Sequence, residues 1–436
     1  MKKVCLLALR LVLFLSGCGG NAQSGIFALP EMPETQGALL ETVSQVCLDG
    51  FEFAEPRSGV NRYPVQLVDL DGNGEDEGIV FLRDVLGSYK TYIYIFEQTD
   101  SVFTLFDVIE GREKDIYTVS YSKMLGGDGY ELIVKWGAEE DENHPITAHT
   151  LTTDGMEKTL DISAGEFSVS DISGDGANEL LAVTKRDGRA YADIYSEKSE
   201  EILKVASVAL SQHEGKVIRI LSGKVSESVN GAFIERESAE GIITDTVIFE
   251  NGNYVNILPD GDICGVRALC ADINNDGRIE IPQETEKNEG YSTDRTYIWR
   301  SIDNNGVMMH VAFTYHSFAE NWYLSMPTSW GKTVFARREV LDSRRAKISF
   351  FTREGIDDDT ETYVEAPLFN IYVCKGSNAS ALAADGGNVI ISEREDMAFA
   401  AEIISTGYLG ETIDEAFLKE AFKNRKSDWA SEILFA

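Results

Sequence analysis

Three nine-residue segments, DLDGNGEDE (69–77), DISGDGANE (171–179) and DINNDGRIE (272–280), share one pattern of acidic residues and glycine. Each begins with Asp, carries an oxygen-bearing side chain at positions 3 and 5, and has Gly at position 6 and Glu at position 9. The first residues of the three segments are 102 and 101 positions apart. Half of that spacing is a period of about 51 residues, which predicts two degenerate copies between the intact ones.

The degenerate copies are found close to their expected places. LGGDGYELIV (125–134) keeps Gly-Asp-Gly, whereas SVNGAFIE (228–235) keeps only a turn. Position 1 of the earlier copy is assigned to Met124, whose side chain cannot bind a hard cation. We therefore expect an acidic turn without a metal at Asp128.

Each period also contains four strand-like runs in which β-branched and aromatic residues alternate with polar ones. The third repeat shows them best, as FSVSD, ELLAVTKR, RAYADIYSE and EILKVASVAL, with an Asp187-Gly188 turn between the second and third runs. Units of four antiparallel strands that repeat at this length are typical of propeller blades. Five such units are counted from about Val65 to Phe313.

These repeats resemble the FG-GAP/VCBS-type repeats of bacterial surface β-propellers over more than half of the chain. The acidic loop of that family is intact in three copies and degenerate in two. The repeats and the resemblance predict a mainly β protein with a propeller-like array of about five four-stranded blades and calcium-type loops. The strand-like runs and the amphipathic segment after it predict a small α+β C-terminal domain. Because the repeats are equivalent, each loop is expected to join the same two strands of its own repeat.

The composition of the loops suits Ca²⁺, which binds six to eight oxygen atoms at flexible spacing. Side chains at positions 1, 3, 5 and 9 and the carbonyl at position 7 are the candidate ligands. They are Asp69, Asp71, Asn73, Glu77 and the Glu75 carbonyl in the first loop, Asp171, Ser173, Asp175, Glu179 and the Ala177 carbonyl in the second, and Asp272, Asn274, Asp276, Glu280 and the Arg278 carbonyl in the third. The alternative is a tight acidic turn that binds no metal. An EF-hand is excluded because position 12 holds Val80, Ala182 or Gln283 instead of an acid.

The N-terminal residues predict export. Met1-Lys2-Lys3 precedes an apolar stretch (5–17) that is too short to span a bilayer and has the pattern of a signal peptide. Leu15-Ser16-Gly17-Cys18 resembles the lipobox of bacterial lipoproteins, which implies cleavage before Cys18 and diacylglyceryl attachment to its thiol. The implied location is the extracytoplasmic face of the bacterial cell membrane. The alternative is an ordinary cleaved signal with an incidental Cys.

The predicted organisation is a signal peptide (1–17), a tether (18–37), the propeller-like region (38–313) and the C-terminal domain (314–436). The last region has strand-like runs at 347–353, 367–375 and 387–392, and a short helical turn after Pro327. An amphipathic helix is expected over 412–428, where Thr412 and Glu415 fit a capping box. Strands followed by a helix are typical of an α+β domain.

The charge of the chain limits the class of partner. With 73 acidic and 39 basic residues, the formal net charge of −34 repels nucleic acids. No common catalytic motif is present. A non-catalytic binding or scaffolding role is the leading hypothesis, with a glycan, a cell-wall polymer or a protein as ligand. The rival is a carbohydrate-active enzyme that uses carboxylates on one propeller face.

Two further pairs of residues leave alternatives open. His144 and His149 lie beside acidic residues and indicate either a transition-metal site or an acidic loop with two incidental histidines. Cys264 and Cys270 either form a disulfide or remain free thiols.

The lipid anchor predicts the behaviour of a single substitution. Cys18→Ala removes the acylated thiol, so the protein should be released from the membrane fraction or remain unprocessed. Fractionation of cells that express the wild-type and variant chains measures this, with Cys374→Ala as the control that keeps the anchor. Unchanged membrane association of Cys18→Ala would contradict the lipoprotein hypothesis.

Overall fold

A computed structural model describes residues 34–46, 50–100, 102–138, 143–265, 267–289, 294–303, 307–357 and 362–424. The predicted signal peptide, Cys18 and most of the tether lie outside these residues. In the described part of the chain, no helix is both long and apolar enough to cross a membrane. The chain forms two compact units: the described residues up to Glu55 with 63–69 and 74–111, and 56–62 with 70–73 and the described residues from Arg112 on.

The first unit consists of a helix, α1 (Glu34–Val46), and one antiparallel sheet. Sheet 1 contains β1 (Phe51–Phe53), β2 (Val65–Val68), β3 (Glu77–Asp84), β4 (Thr91–Thr99) and β5 (Val102–Glu110). The strands β1 and β2 both pair with β3, next to different parts of it, and the order continues β3-β4-β5. The short β1 thus extends the edge that the predicted first strand occupies.

The helix α1 begins inside the segment predicted to be a tether. Its Leu39 and Val43 are buried against Val80 and Phe96 of the sheet. A Cβ atom at Gly78 would lie 2.6 Å from the Leu39 side chain, so the helix needs the bare backbone of this glycine. The prediction that the tether extends to residue 37 is therefore wrong for its last four residues, because apolar residues one turn apart let the helix pack.

In the second unit, three successive sheets have the predicted pattern of four antiparallel strands in chain order. Sheet 2 contains β6 (Ile116–Ser122), β7 (Glu131–Trp136), β8 (His144–Thr152) and β9 (Gly155–Ala164). Sheet 3 contains β10 (Glu166–Ser170), β11 (Glu179–Arg186), β12 (Arg189–Lys198) and β13 (Glu201–Ala209). Sheet 4 contains β14 (Lys216–Lys224), β15 (Asn230–Ser238), β16 (Gly241–Glu250) and β17 (Asn253–Asn256), and the short β18 (Asp262–Ile263) also pairs with β16. The Asp187-Gly188 turn joins β11 and β12 with φ of 50° and 80°, as its sequence predicts.

Sheets 2, 3 and 4 pack face to face through their central strands. In β11, Leu180 and Ala182 belong to a buried cluster with residues of sheet 2, whereas Leu181 and Val183 belong to a cluster with residues of sheet 4. Successive side chains of a strand point to opposite faces, so β11 is buried on both. This explains why its sequence is a continuous apolar run.

The last two sheets share strands from the predicted C-terminal domain. Sheet 5 contains β19 (Ile281–Thr285), β21 (Asp294–Ile302), β22 (Met308–Ser317), β23 (Trp322–Met326) and β31 (Phe422–Asn424); sheet 6 contains β20 (Asn288–Glu289), β24 (Val334–Val340), β25 (Arg345–Asp357), β26 (Thr362–Lys375), β27 (Val389–Arg394) and β28 (Met397–Ile403). A small hairpin of β29 (Gly407–Tyr408) and β30 (Glu411–Thr412) follows. The boundary predicted after Phe313 falls inside β22, and β23 and β31 continue sheet 5.

The fifth repeat departs from the four-strand pattern at its start. In the described part of the run VRALCAD, residues 267–272, no strand forms, and Ala271 makes an isolated bridge with Glu280. Sheet 5 replaces the missing strand on its other side with β23, which pairs with β22. Sheet 5 therefore contains five strands, and two of them, β23 and β31, come from beyond the predicted period.

Two short helices lie on sheet 6: α2 (Ala379–Ala383) and α3 (Glu415–Ala421). Ala379 of α2 packs in a cluster with Cys374, whereas Leu418 of α3 packs in the larger cluster that contains Val373. The helices thus cover opposite faces of β26. The side chain of Asp414 caps α3 by accepting the Phe417 amide hydrogen at 2.8 Å, so the prediction that Thr412 is the cap is wrong.

A buried ion cluster connects sheets 5 and 6. Arg338 of β24 donates to Glu320 at 2.7 and 2.9 Å and lies 3.3 Å from Asp294 of β21. Lys375 lies 3.0 Å from Glu320, and Tyr315 donates its hydroxyl hydrogen to Asp294. Burial acts to raise the pKa of Glu320, but the hydrogen bonds and charge of its partners lower it to about 2.

The cluster predicts the effect of Glu320→Gln. The pKa of Glu320 falls from its ordinary value of 4.5 to about 2 on folding, so the ionised carboxylate stabilises the protein by about 3 kcal/mol at neutral pH. Because the folded pKa is the lower one, this stability is present above the unfolded pKa and is lost as pH falls toward about 2. The variant should lose about 3 kcal/mol in the free energy of unfolding at pH 7 and clearly less at pH 3, as measured by urea unfolding.

Glu415→Gln is the control, because Glu415 pairs with Lys419 on an exposed helix surface at 2.7 Å. Exposed pairs at this spacing contribute about 0.3–0.5 kcal/mol. Equal losses in the two variants would contradict the importance of the buried cluster.

Candidate metal centre

The acidic loops occupy equivalent places in their repeats. The first loop joins β2 to β3, the second joins β10 to β11, and the third leads from the Ala271 bridge into β19. Each loop is therefore the turn between the first two strand segments of its repeat, counted from Val65 in the first repeat, as the repeat pattern predicts.

The backbone conformation of the three loops is the same at two positions. Positions 4 and 6 have positive φ in every case: 78° and 92° at Gly72 and Gly74, 77° and 91° at Gly174 and Gly176, and 60° and 86° at Asn275 and Gly277. Glycine and asparagine tolerate this region better than other residues, which explains their use there. These two left-handed residues bend the loop around its first side chain.

The carboxylate at position 1 closes each turn. It accepts the amide hydrogen of position 6 at 2.9 Å from Gly74 to Asp69, 3.0 Å from Gly176 to Asp171, and 2.9 Å from Gly277 to Asp272. The loops therefore have a defined conformation that their own hydrogen bonds maintain.

The second loop brings three predicted ligands together. Carboxylate oxygens of Asp171, Asp175 and Glu179 lie within 4.8 Å of one another. Three negative charges at this separation repel one another unless a cation balances them. Asn230 donates to the Asp171 carbonyl at 2.8 Å, which fixes the start of the loop to sheet 4.

A cavity of about 320 Å³ adjoins the second loop. Asp175, Glu179 and Tyr254 line it, and Tyr254 donates its hydroxyl hydrogen to Glu179 at 3.0 Å. Burial raises the pKa of Tyr254, and the neighbouring carboxylates reinforce this effect. The phenol therefore stays a hydrogen-bond donor and leaves the other oxygens of the group available.

The glutamate at position 9 has a structural role in addition to its predicted one. Glu77, Glu179 and Glu280 are at most 3% exposed. Glu179 accepts the Ile172 amide hydrogen at 2.8 Å, and Glu280 accepts that of Ile273 at 2.9 Å. Glu179 and Glu280 thus tie the return strand to the second residue of their own loops.

The degenerate copy keeps this tie and corrects our numbering of it. Glu131 accepts the Met124 amide hydrogen at 2.6 Å, across the same seven residues as in the intact loops. Met124 is therefore at position 2, where it is buried like Ile172, and Lys123 is at position 1. The Lys123 ammonium lies 4.0 Å from Asp128. Counting back from the buried glutamate, rather than from Gly-Asp-Gly, would have given this register.

In the third loop an arginine pairs with the predicted ligand at position 5. Arg278 donates to Asp276 at 2.5 and 3.1 Å, and this contact lowers the pKa of Asp276. Burial raises the pKa of Glu280 to about 8, and the nearby Asp276 and Asp272 reinforce that effect. Among the described residues, the acidic side chains of this loop do not form a close group like that of the second loop.

The first loop contains the boundary between the two compact units, since Leu70–Asn73 belong to the second unit and the flanking residues to the first. Within the 70–73 segment, the backbone nitrogen and the side-chain Nδ2 of Asn73 each donate to the Asp71 carboxylate at 3.0 Å. The side chains predicted at positions 3 and 5 therefore contact each other directly.

The remaining candidate residues lie in strands or cores. His144 begins β8 and its Nδ1 lies 3.2 Å from Glu113, while His149 is buried in the same strand; residues 139–142 lie outside the described chain. Cys264 and Cys270 are free and buried, 3.1 and 3.6 Å from the Thr244 hydroxyl.

No family model and no curated protein matches the chain. Among solved structures, it is similar to a functionally unknown protein of Desulfotomaculum acetoxidans, with 10% identity, coverage of 73% of this chain and 89% of that one, and a TM-score of 0.35. A rhamnogalacturonan lyase of Bacillus licheniformis has 12% identity, with coverage of 73% of this chain and 77% of that one and a TM-score of 0.31. TolB of Acinetobacter baumannii has 13% identity, with coverage of 66% of this chain and 63% of that one and a TM-score of 0.27.

The second loop predicts a selective effect of Asp171→Asn. One Asp171 carboxylate oxygen accepts the Gly176 amide hydrogen and the other accepts those of Gly174 and Asp175, so the amide keeps one of these two acceptors while one charged ligand is lost. Calcium titration calorimetry of the variant should show the loss of one site or at least tenfold weaker binding there. Asp128→Asn, in the loop that has Lys123 at position 1, should bind calcium as the wild type does. Identical titrations of wild type and Asp171→Asn would contradict a site in this loop.

Proposed function

We propose that this chain is a calcium-stabilised binding or scaffold protein, anchored by a lipid at Cys18 on the extracytoplasmic face of a bacterial cell membrane. Its repeated sheets form a propeller-like array of the FG-GAP/VCBS type, and its ligand is a glycan, a cell-wall polymer or a protein. The observation that carries the proposal is the group of Asp171, Asp175 and Glu179, held in a loop whose backbone recurs twice more.

The role of calcium in this proposal is structural. In the second loop, the candidate ligands connect β10, β11 and the turn between them, and Asn230 adds a contact to sheet 4. A cation at this point offsets the repulsion of the carboxylates and links two strands of one sheet. Because the cation binds the folded chain and not the unfolded one, its binding stabilises the folded state.

The second and third loops differ in their expected affinity for calcium. The second loop offers a close group of carboxylates, whereas Arg278 competes with a cation for Asp276 in the third. We therefore assign the tightest calcium binding in the second unit to Asp171–Glu179. This ranking depends on a contact that the loop sequences alone do not reveal.

Binding is favoured over carbohydrate cleavage by the spacing of the carboxylates. Glycoside hydrolysis uses two carboxyl groups about 5–10 Å apart across a bound sugar. The carboxylate oxygens of the second loop lie within 4.8 Å of one another and Glu179 is 3% exposed, an arrangement better suited to holding a cation.

The proposal predicts that calcium raises the melting temperature of the full chain. Extracellular sites of this class bind at about 10⁻⁴–10⁻³ M, so 10 mM calcium after chelator treatment should raise the midpoint by about 2–5 °C. Calorimetry with chelator, with calcium and with magnesium measures this. Asp171→Asn should reduce the rise more than Asp272→Asn does. Superimposable curves with chelator and with calcium would refute the metal assignment.

A further inference from the structure

Sheet 6 carries a cavity whose charge differs from that of the rest of the molecule. The cavity has a volume of about 290 Å³. Three cationic and three aromatic side chains contribute to its lining: Lys287, Lys332, Arg353, Phe335, Tyr363 and Tyr408. In a chain with a net charge of −34, three cations around one small cavity form a local exception.

Aromatic rings hold two of these cations in place. The Lys287 ammonium lies 4.2 Å from the centre of the Phe335 ring, and the Arg353 guanidinium lies 4.2 Å from the same ring and 4.9 Å from that of Tyr363. The Lys287 carbonyl also accepts the Ala336 amide hydrogen at 2.8 Å, which fixes its backbone to β24. Cation–π contacts position a charge without neutralising it.

The carboxylates nearby do not balance the positive charge. Arg353 pairs with Glu289, which also pairs with Arg337 at 2.7 Å, and Arg337 has Glu365 as a second partner. In the described part of the chain, Lys287 and Lys332 form no ion pair, and Glu354 is the one acidic residue in the cavity lining. The cavity therefore has an excess of positive charge that favours an anion.

Buried polar atoms at the same cavity lack partners. Thr352 is 3% exposed, and its hydroxyl, that of Thr333 and the Nε of Arg353 make no hydrogen bond within the described chain. A buried polar group without a partner destabilises the folded state, so such groups are rare in folded proteins. Three around one cavity indicate that a polar ligand completes them.

We infer that this cavity binds a sugar unit that carries one anionic group, either a carboxylate or a phosphate. The cations bind the anionic group through charge-assisted hydrogen bonds. The threonine hydroxyls both donate and accept, which matches sugar hydroxyls, and the half-exposed ring of Tyr363 offers an apolar contact. A volume near the lower limit of small-molecule sites accommodates a single ring and exceeds what a bare inorganic anion needs.

This inference rests on the proposed binding role, for which it specifies the ligand class as an acidic saccharide. The test uses the full chain in saturating calcium, titrated with glucuronate, glucose 6-phosphate, glucose and inorganic phosphate by calorimetry. We expect glucuronate or glucose 6-phosphate to bind at least tenfold more tightly than glucose and than inorganic phosphate. The tighter of the two identifies the anionic group.

Two variants and a matched control locate the site. Lys332→Ala removes an exposed cation and should weaken binding about tenfold, whereas Lys224→Ala, an exposed lysine of sheet 4, should not change it. Thr352→Val removes a hydroxyl that has no partner, so the melting temperature should be unchanged or higher while sugar binding weakens severalfold. A purely structural threonine would instead lower the melting temperature.

Several results would overturn the inference. Equal binding of glucose and glucose 6-phosphate would refute the anionic group, and equal binding of inorganic phosphate and glucose 6-phosphate would refute the sugar. Absence of binding by both acidic sugars, or unchanged affinity in both variants, would also refute it. The calcium response of the same samples separates the two hypotheses, because a chain that keeps this response but binds no sugar contradicts only the ligand assignment.

Discussion

A buried glutamate that accepts an amide hydrogen seven residues before it is the contact on which the repeats of sheets 2, 3 and 5 depend. Glu131, Glu179 and Glu280 each make this contact with the second residue of their loop. It sets the distance between the first strand segment and the return strand, and it places an apolar residue such as Ile172 in the core. The contact recurs in the degenerate copy, so it belongs to the fold and does not require a metal.

Charge compensation around these loops takes different forms. The second loop leaves three carboxylates close together, whereas Lys123 stands at position 1 of the degenerate copy and Arg278 pairs with Asp276 in the third loop. A protein cation is always present, while a bound ion depends on its concentration. Under the proposed function, the chain combines compensation by its own cations with compensation by a bound ion in copies of the same turn.

Sheets 5 and 6 are joined by a different interaction. Arg338 lies between Glu320 and Asp294, and all three residues are at most 8% exposed. Leaving any one of these charges unpaired in the interior is costly. Together with the strand β31 on sheet 5, this cluster makes the C-terminal segment a continuation of the repeated sheets. The cationic cavity between Lys287 and Arg353 arises on this same segment.

The sequence by itself determined the local features of the molecule. The period, the hairpin at Asp187-Gly188 and the left-handed positions of the loops follow from glycine, asparagine and alternating apolar residues, because these act within a few residues of the chain. Tertiary structure decided that α1 packs on Gly78, that Asn230 binds the start of the second loop, and that β31 completes sheet 5 on β23. Those outcomes depend on contacts between segments far apart in sequence, and local patterns carry no record of them.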